Sequence, residues 1–241
     1  MRRSGAPKLP MPIVEPLFFV LAATSVLCAA LIAVREFRLD TIHYRFLLWN
    51  LFLAWLPLFA SMAALALVRY ASGSVKLVGL PLLAVAWLLL FPNAPYLTTD
   101  FIHLVQDTFD LSYDKDGLLV WYDLVLLFLF AWCGLLLGYL SMRHFHAIAS
   151  RYLGTAAGWI FVPVVSYLGG FGVYLGRVVR LNSWDVLFGP FRLIGAALEA
   201  VDARAAGFAA LFGTLILIVY VSLFALAGKR SGSSPRGAAM P

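Results

Sequence analysis

Long apolar runs, interrupted by short polar stretches, set the plan of this chain. A helix that crosses a bilayer needs roughly 20 mostly apolar residues, because each residue rises about 1.5 Å through a hydrocarbon core about 30 Å thick. Six segments meet or approach that length, at about 13–34, 46–68, 77–97, 121–142, 155–176 and 207–228. The pattern predicts an all-α fold, an integral membrane bundle of about six transmembrane helices. The connections are short, so residues 1–230 are expected to form a single transmembrane domain, and the small polar tail 231–241 is expected to be disordered.

Two segments depart from plain spans. Val78–Phe91 is strongly apolar, but Pro92 and Pro95 follow before apolar residues resume at Phe101. Proline lacks an N–H and clashes with the preceding turn, and it pushes the residue before it out of helix. The third helix is therefore expected to be broken, bending or unwinding near Pro92–Tyr96 and restarting with Thr99 or Asp100 as its N-cap. Backbone groups freed at that depth must be buried in protein or line a wet cavity, a setting in which binding sites often lie. Between the fifth and sixth spans, Trp184, Phe188, Phe191, Ile194, Leu198 and Val201 recur at spacings of four and three, with Arg192, Glu199 and Asp202 off the stripe. That pattern predicts an amphipathic helix lying in the membrane interface.

Composition agrees with the pattern: 63% of residues are hydrophobic, 12% are charged, and the mean hydropathy is +0.91. Met1-Arg2-Arg3 and the apolar run behind it look like a leader, but the run exceeds the roughly 7–15 residues of a cleaved signal, so a retained first helix is expected. Cys28 and Cys133 fall inside apolar spans and imply no disulfide. With six spans, ten Lys and Arg lie on the side of the termini and eight on the other, a bias that favours cytoplasmic termini and the plasma (inner) membrane. Glu15 is then the sole acid on the termini side, and the acid-rich surface faces outward. The net charge of +6 reads as membrane-flanking charge, and no nucleic-acid partner is expected.

Charges near hydrocarbon are costly, so three polar stretches attract interest: Asn93–His103, Trp121-Tyr122-Asp123, and Gly172–Asp185. Asp100 and His103 are three apart on a helical restart and can point the same way. If helix packing adds Asp123 and Asp185, three carboxylates and one histidine could act as catalytic acid/base groups. Asp100, His103 and Asp123 could instead ligate a divalent metal ion, the expected cofactor of such a set. Arg177 and Arg180 could clamp a phosphate or carboxylate. Asn93, Tyr96, Tyr174, Asn182 and Trp184 complete the expected substrate-binding set. Gly172 and Gly176 form a GxxxG pair suited to close helix packing, with a partner helix or a second copy of the chain. His144 and His146 read as interface residues, Asn50 as a source of an interhelical hydrogen bond, and the acidic loop Asp107–Asp116 as a solvated turn. Its Ser112–Asp123 stretch is only a partial match to a calcium loop.

At these residues the chain resembles the bacterial membrane family designated domain of unknown function 1361. The resemblance rests on Phe91-Pro92-Asn93-Ala94-Pro95-Tyr96 with Thr99, Asp100 and His103, on Trp121-Tyr122-Asp123, and on Gly172–Arg177 with Arg180 and Asn182–Asp185. It covers roughly residues 45–228 and implies a multi-pass membrane protein, with no reaction to carry over. Three functions stay open. The polar site could serve a metal-assisted enzyme acting on an amphipathic or lipid-linked anionic substrate among the membrane lipids. The chain could otherwise be a small solute or ion transporter, or a non-catalytic assembly protein.

Overall fold

A computed structural model describes residues 16–39, 43–107, 117–181 and 189–229. Asn182, Trp184 and Asp185, the acidic loop beyond Asp107 and the tail lie outside the described residues. Helices α1 (Pro16–Leu39), α2 (Phe46–Tyr70) and α3 (Gly73–Leu90) lead into the short α4 (Asn93–Tyr96), a 3-10 turn (Leu97–Asp100) and α5 (Phe101–Asp107). Then come α6 (Leu118–Leu153), α7 (Thr155–Tyr174), a π turn (Leu175–Val179), α8 (Pro190–Glu199) and α9 (Ala203–Lys229). No strand occurs among the described residues. Six helices are long and apolar enough to cross a membrane, α3 through α5 counting as one of them.

Helix α6 is the axis of the bundle. Its 36 residues pack against α1, α2, α7 and the segment Asn93–Asp107. It extends well past the span expected to end near residue 142, which overturns the interface reading of the two histidines. His144 and His146 are buried within this helix, His144 against Ser61 at 2.8 Å and His146 against the Tyr220 hydroxyl at 2.7 Å. Each imidazole meets a hydroxyl through its Nδ1, His144 on α2 and His146 on α9, so both rings face neighbouring helices rather than the interface.

The proline-rich segment tightens where unwinding was expected. Phe91, Pro92, Tyr96, Leu97 and Phe101 all keep right-handed helical dihedrals, and the chain narrows to a 3-10 turn at Leu97–Asp100. Thr99 does not cap a new helix; its hydroxyl donates back to the Tyr96 carbonyl at 2.7 Å. Thr98 does the same to Pro95, at 2.7 Å. Both hydroxyls reach back three residues and bond carbonyls at the entry to the 3-10 turn, adding local hydrogen bonds where the α-helical ladder tightens.

Glycines let the neighbours close in on this segment. A Cβ on Gly134 of α6 would lie 2.3 Å from the Ala94 carbonyl oxygen, and one on Gly172 of α7 would lie 2.2 Å from Pro92 Cγ. The Gly172/Gly176 pair, expected to admit a partner helix, thus receives Pro92 and the Tyr96 ring of its own chain. The second close helix pair is α7 with α9, where a Cβ on Gly170 would meet the Gly213 nitrogen at 2.6 Å. In and just after α8, the described members of the apolar stripe are exposed: Phe191 is 89% exposed, and Leu198 and Val201 are exposed as well.

Candidate functional site

The π turn and its end place Arg177. The Arg180 N–H reaches the Leu175 carbonyl, Leu181 N–H bonds the same oxygen at 3.0 Å, and Arg180 takes a left-handed conformation with φ 63°. One extra residue in the turn alters the angular spacing along the helix. Arg177 consequently points to the 3-10 turn, while Arg180 ends the helix as an exposed residue. The two arginines, expected to share a helical face, are parted by this change of backbone.

Arg177 ties four elements together. Its Nη1 donates to Asp100 Oδ1 at 3.1 Å and to the Tyr96 hydroxyl at 3.2 Å, and its Nη2 lies 3.2 Å from His103 Nε2. Its guanidinium carbon stands 5.6 Å from the centre of the Tyr96 ring. Asp100 is 0% exposed, and Asn50 of α2 donates to its other oxygen at 3.1 Å. Arginine has donors only, so His103 Nε2 must accept here, which puts the neutral ring's proton on Nδ1. The Phe46 ring packs 4.6 Å from the His103 ring and limits its movement.

Asp123 does not join this group. It is fully buried against Arg35 of α1, with Arg35 Nε 2.6 Å from Oδ1 and Nη2 2.8 Å from Oδ2. The three-ligand set expected for a metal is therefore not assembled: Arg177 stands between Asp100 and His103, and Arg35 holds Asp123. Among the described residues no three His, Cys, Asp or Glu side chains gather to hold a metal ion.

Composition alone did not mark Arg35, His43, Tyr44 and Asp107 as members of a network. The Tyr44 ring lies 4.4 Å from the Arg35 guanidinium, and its hydroxyl donates to Asp107 Oδ2 at 2.5 Å. His43 Nε2 meets Asp107 Oδ1 at 3.0 Å. Burial, and after it the bond to Asp107, pushes the Tyr44 phenol well above its ordinary range, so it stays a donor. The Tyr122 hydroxyl adds a bond to the Leu31 carbonyl at 2.5 Å. The signal was Arg35 itself, set one turn inside the charged end (Glu36, Arg38) of an otherwise apolar first helix, where a cation needs a partner.

Of the remaining expected site residues, Asn93 opens α4 and is half-buried. Tyr174 is buried among aromatic rings, 6.4 Å from Phe171 and 5.6 Å from Phe208, and belongs to the α7–α9 packing.

Six apolar spans with a polar cluster where their ends meet define a multi-pass membrane protein. A family model described as Protein of unknown function (DUF1361) matches residues 49–219, and the chain belongs to that family. The matched region contains Asn50, Tyr96, Asp100, His103, Asp123 and Arg177. No curated protein and no solved structure matches the chain.

Proposed function

We propose that the protein binds an amphipathic or lipid-linked anion at Arg177, with His103 as the proton-transfer group beside it. The observation that carries this reading is the asymmetry of the Arg177 contacts. Its Nη1 is anchored from behind by fully buried Asp100, whereas the Arg177 side chain is 21% exposed and its Nη2 rests on a neutral imidazole. An incoming phosphate or carboxylate can replace His103 at Nη2, since a charged acceptor binds a guanidinium more strongly than a neutral one. The Tyr96 hydroxyl, which accepts from Arg177, keeps its own proton to donate to the same ligand. His103 Nε2 is then released next to the bound anion and can accept a proton. The exposed apolar residues of α8 supply a surface on which the lipid part of such a ligand could rest. With the termini in the cytoplasm, as the Lys and Arg bias favours, the site opens on the outer face.

The test is native mass spectrometry of the full chain, reconstituted in nanodiscs of its host's lipid extract. Wild-type protein should retain an anionic amphiphile that Arg177→Gln loses, and His103→Gln should retain it without turning it over. The reading fails if both variants reach wild-type abundance and leave bound molecules and the cell's lipid and glycan profile unchanged.

A second reading, a non-catalytic assembly protein, is favoured by the one-to-one pairing of Arg35 with Asp123 and Arg177 with Asp100. It predicts that substitutions at these positions lower abundance, with no specific ligand lost.

A further inference from the structure

On the side of the bundle away from Arg177, a groove separates the first half of α3 from the end of α6 and the start of α7. It is an open groove of about 750 Å³, walled by Leu80, Ala84, Phe145, Ile148, Ala149 and Phe161. The volume falls within the roughly 300–1,000 Å³ of small-molecule pockets. Two of these wall residues are backed by buried Trp87, whose ring stacks 4.3 Å from Phe145 and 5.9 Å from Phe161. Leu77, Val78, Leu82 and Val85 of α3 stay exposed, so the groove is bounded by a helix that itself faces hydrocarbon.

The polar groups sit at one end only. Lys76, in the first turn of α3, and Tyr152, in the last turn of α6, flank the mouth. Lys76 Nζ donates to the Val68 carbonyl at 2.9 Å and lies 5.5 Å from the centre of the Tyr152 ring. One bond leaves an ammonium with donors for a further acceptor. Charge on this side is uniform among the described residues: Arg69, Lys76 and Arg151 lie here. Glu36, Asp100, Asp107, Asp123, Glu199 and Asp202 all belong to the opposite ends of their helices or the links there.

An apolar groove bounded by a hydrocarbon-facing helix and marked by a cation at its mouth matches one chemistry. We propose that the groove holds an acyl chain of an anionic phospholipid, with the headgroup phosphate on Lys76. Basic pockets between membrane helices recognise anionic headgroups through the same pairing. The groove and the Arg177 site occupy different ends of the bundle, so this proposal does not depend on the reading above.

The experiment places the full-length protein in nanodiscs of equal parts phosphatidylglycerol and phosphatidylcholine, then releases it into detergent for native mass spectrometry. Wild-type protein should keep one phosphatidylglycerol in preference to phosphatidylcholine. Lys76→Gln should cut that preference about five-fold, the effect of one lysine at an anionic lipid surface. Ala84→Phe, which fills the slot, should abolish retention of either lipid. Thermal unfolding checks that each variant is folded, and Ala149→Leu serves as the milder filling variant. Equal retention of the two lipids by wild type would overturn the proposal. So would unchanged phosphatidylglycerol retention in the folded filling variants, or a dimer that those variants split, which would mean that a second copy fills the groove.

Discussion

Arg35 and Asp123 hold each other by two hydrogen bonds, at 2.6 and 2.8 Å, although they come from the first and fourth spans. The two parallel bonds match the fork of a guanidinium to the two oxygens of a carboxylate. Both side chains are buried, so each is the other's means of carrying charge inside the bundle.

Removing one partner should therefore cost more than removing both. Asp123→Ala or Arg35→Ala alone is expected to destabilise the protein by about 3–5 kcal/mol, because the buried survivor loses both bonds to the opposite charge it was paired with. The double replacement Arg35→Met with Asp123→Leu should cost far less than the sum. Chemical unfolding in detergent measures all three, and additive losses would show that the pair is not a coupled unit.

Tyr44 serves Arg35 with its ring and Asp107 with its hydroxyl, and the two can be separated. Tyr44→Phe keeps the ring and removes a bond to a charged acceptor, a loss of about 1.5–3 kcal/mol, whereas Tyr44→Leu removes both contacts. The pH dependence has a definite sign. A phenol whose folded pKa is raised above the ordinary 10.0 contributes fully below pH 10, and its contribution declines as pH rises beyond that value. Thermal melts of wild type and Tyr44→Phe should thus converge in the alkaline range, and a constant gap would refute this role.

Arg180 occupies a left-handed conformation that costs a non-glycine residue about 1–2 kcal/mol, offset in part by glycine's own entropic cost. Arg180→Gly should accordingly be more stable than Arg180→Ala by about 0.5–1 kcal/mol. A melting temperature for Arg180→Gly at or below that of Arg180→Ala would contradict the conformation.

The glycines offer an internal comparison. Gly134→Ala would press a methyl onto the Ala94 carbonyl, and Gly172→Ala one onto the Pro92 ring. Each should cost about 1–3 kcal/mol by overpacking. Gly195→Ala in α8 meets nothing within 4 Å and should be neutral or stabilising by up to about 1 kcal/mol. Yields and melting temperatures of the three variants decide this, and equal behaviour would mean that the close approaches are not real constraints.

The spans were legible because hydrocarbon imposes one length and one composition on anything that crosses it. Tyr96, Asp100, His103 and Arg177 could be picked out as a set because polar groups at such depth are rare. What the sequence could not show was who pairs with whom. Asp123 lies in the same membrane layer as Asp100, yet it faces α1, and only the order of helices in the bundle reveals that. Arg35 escaped notice because a pair of arginines near a helix end, Arg35 with Arg38, also fits a simple interfacial anchor. Pro92 and Pro95 signalled a break, and α3 does end at Leu90, but Thr98 and Thr99 supply local bonds and Gly134 and Gly172 supply room, so the chain continues in short helical turns instead of unwinding. Arg180's separation from Arg177 depends on a π turn, which leaves no periodic mark in a short segment.

The Arg35–Asp123 pair also imposes an order on synthesis. Its members are 88 residues apart. At about 5–20 residues per second, the first helix emerges roughly 4–18 seconds before its counter-ion exists. Until then Arg35 must keep its charged head in the wet boundary, which its long stem and its place near the end of α1 allow. The first helix can take its final seat only when the fourth arrives, so the amino-terminal span, made first, is among the last to be locked.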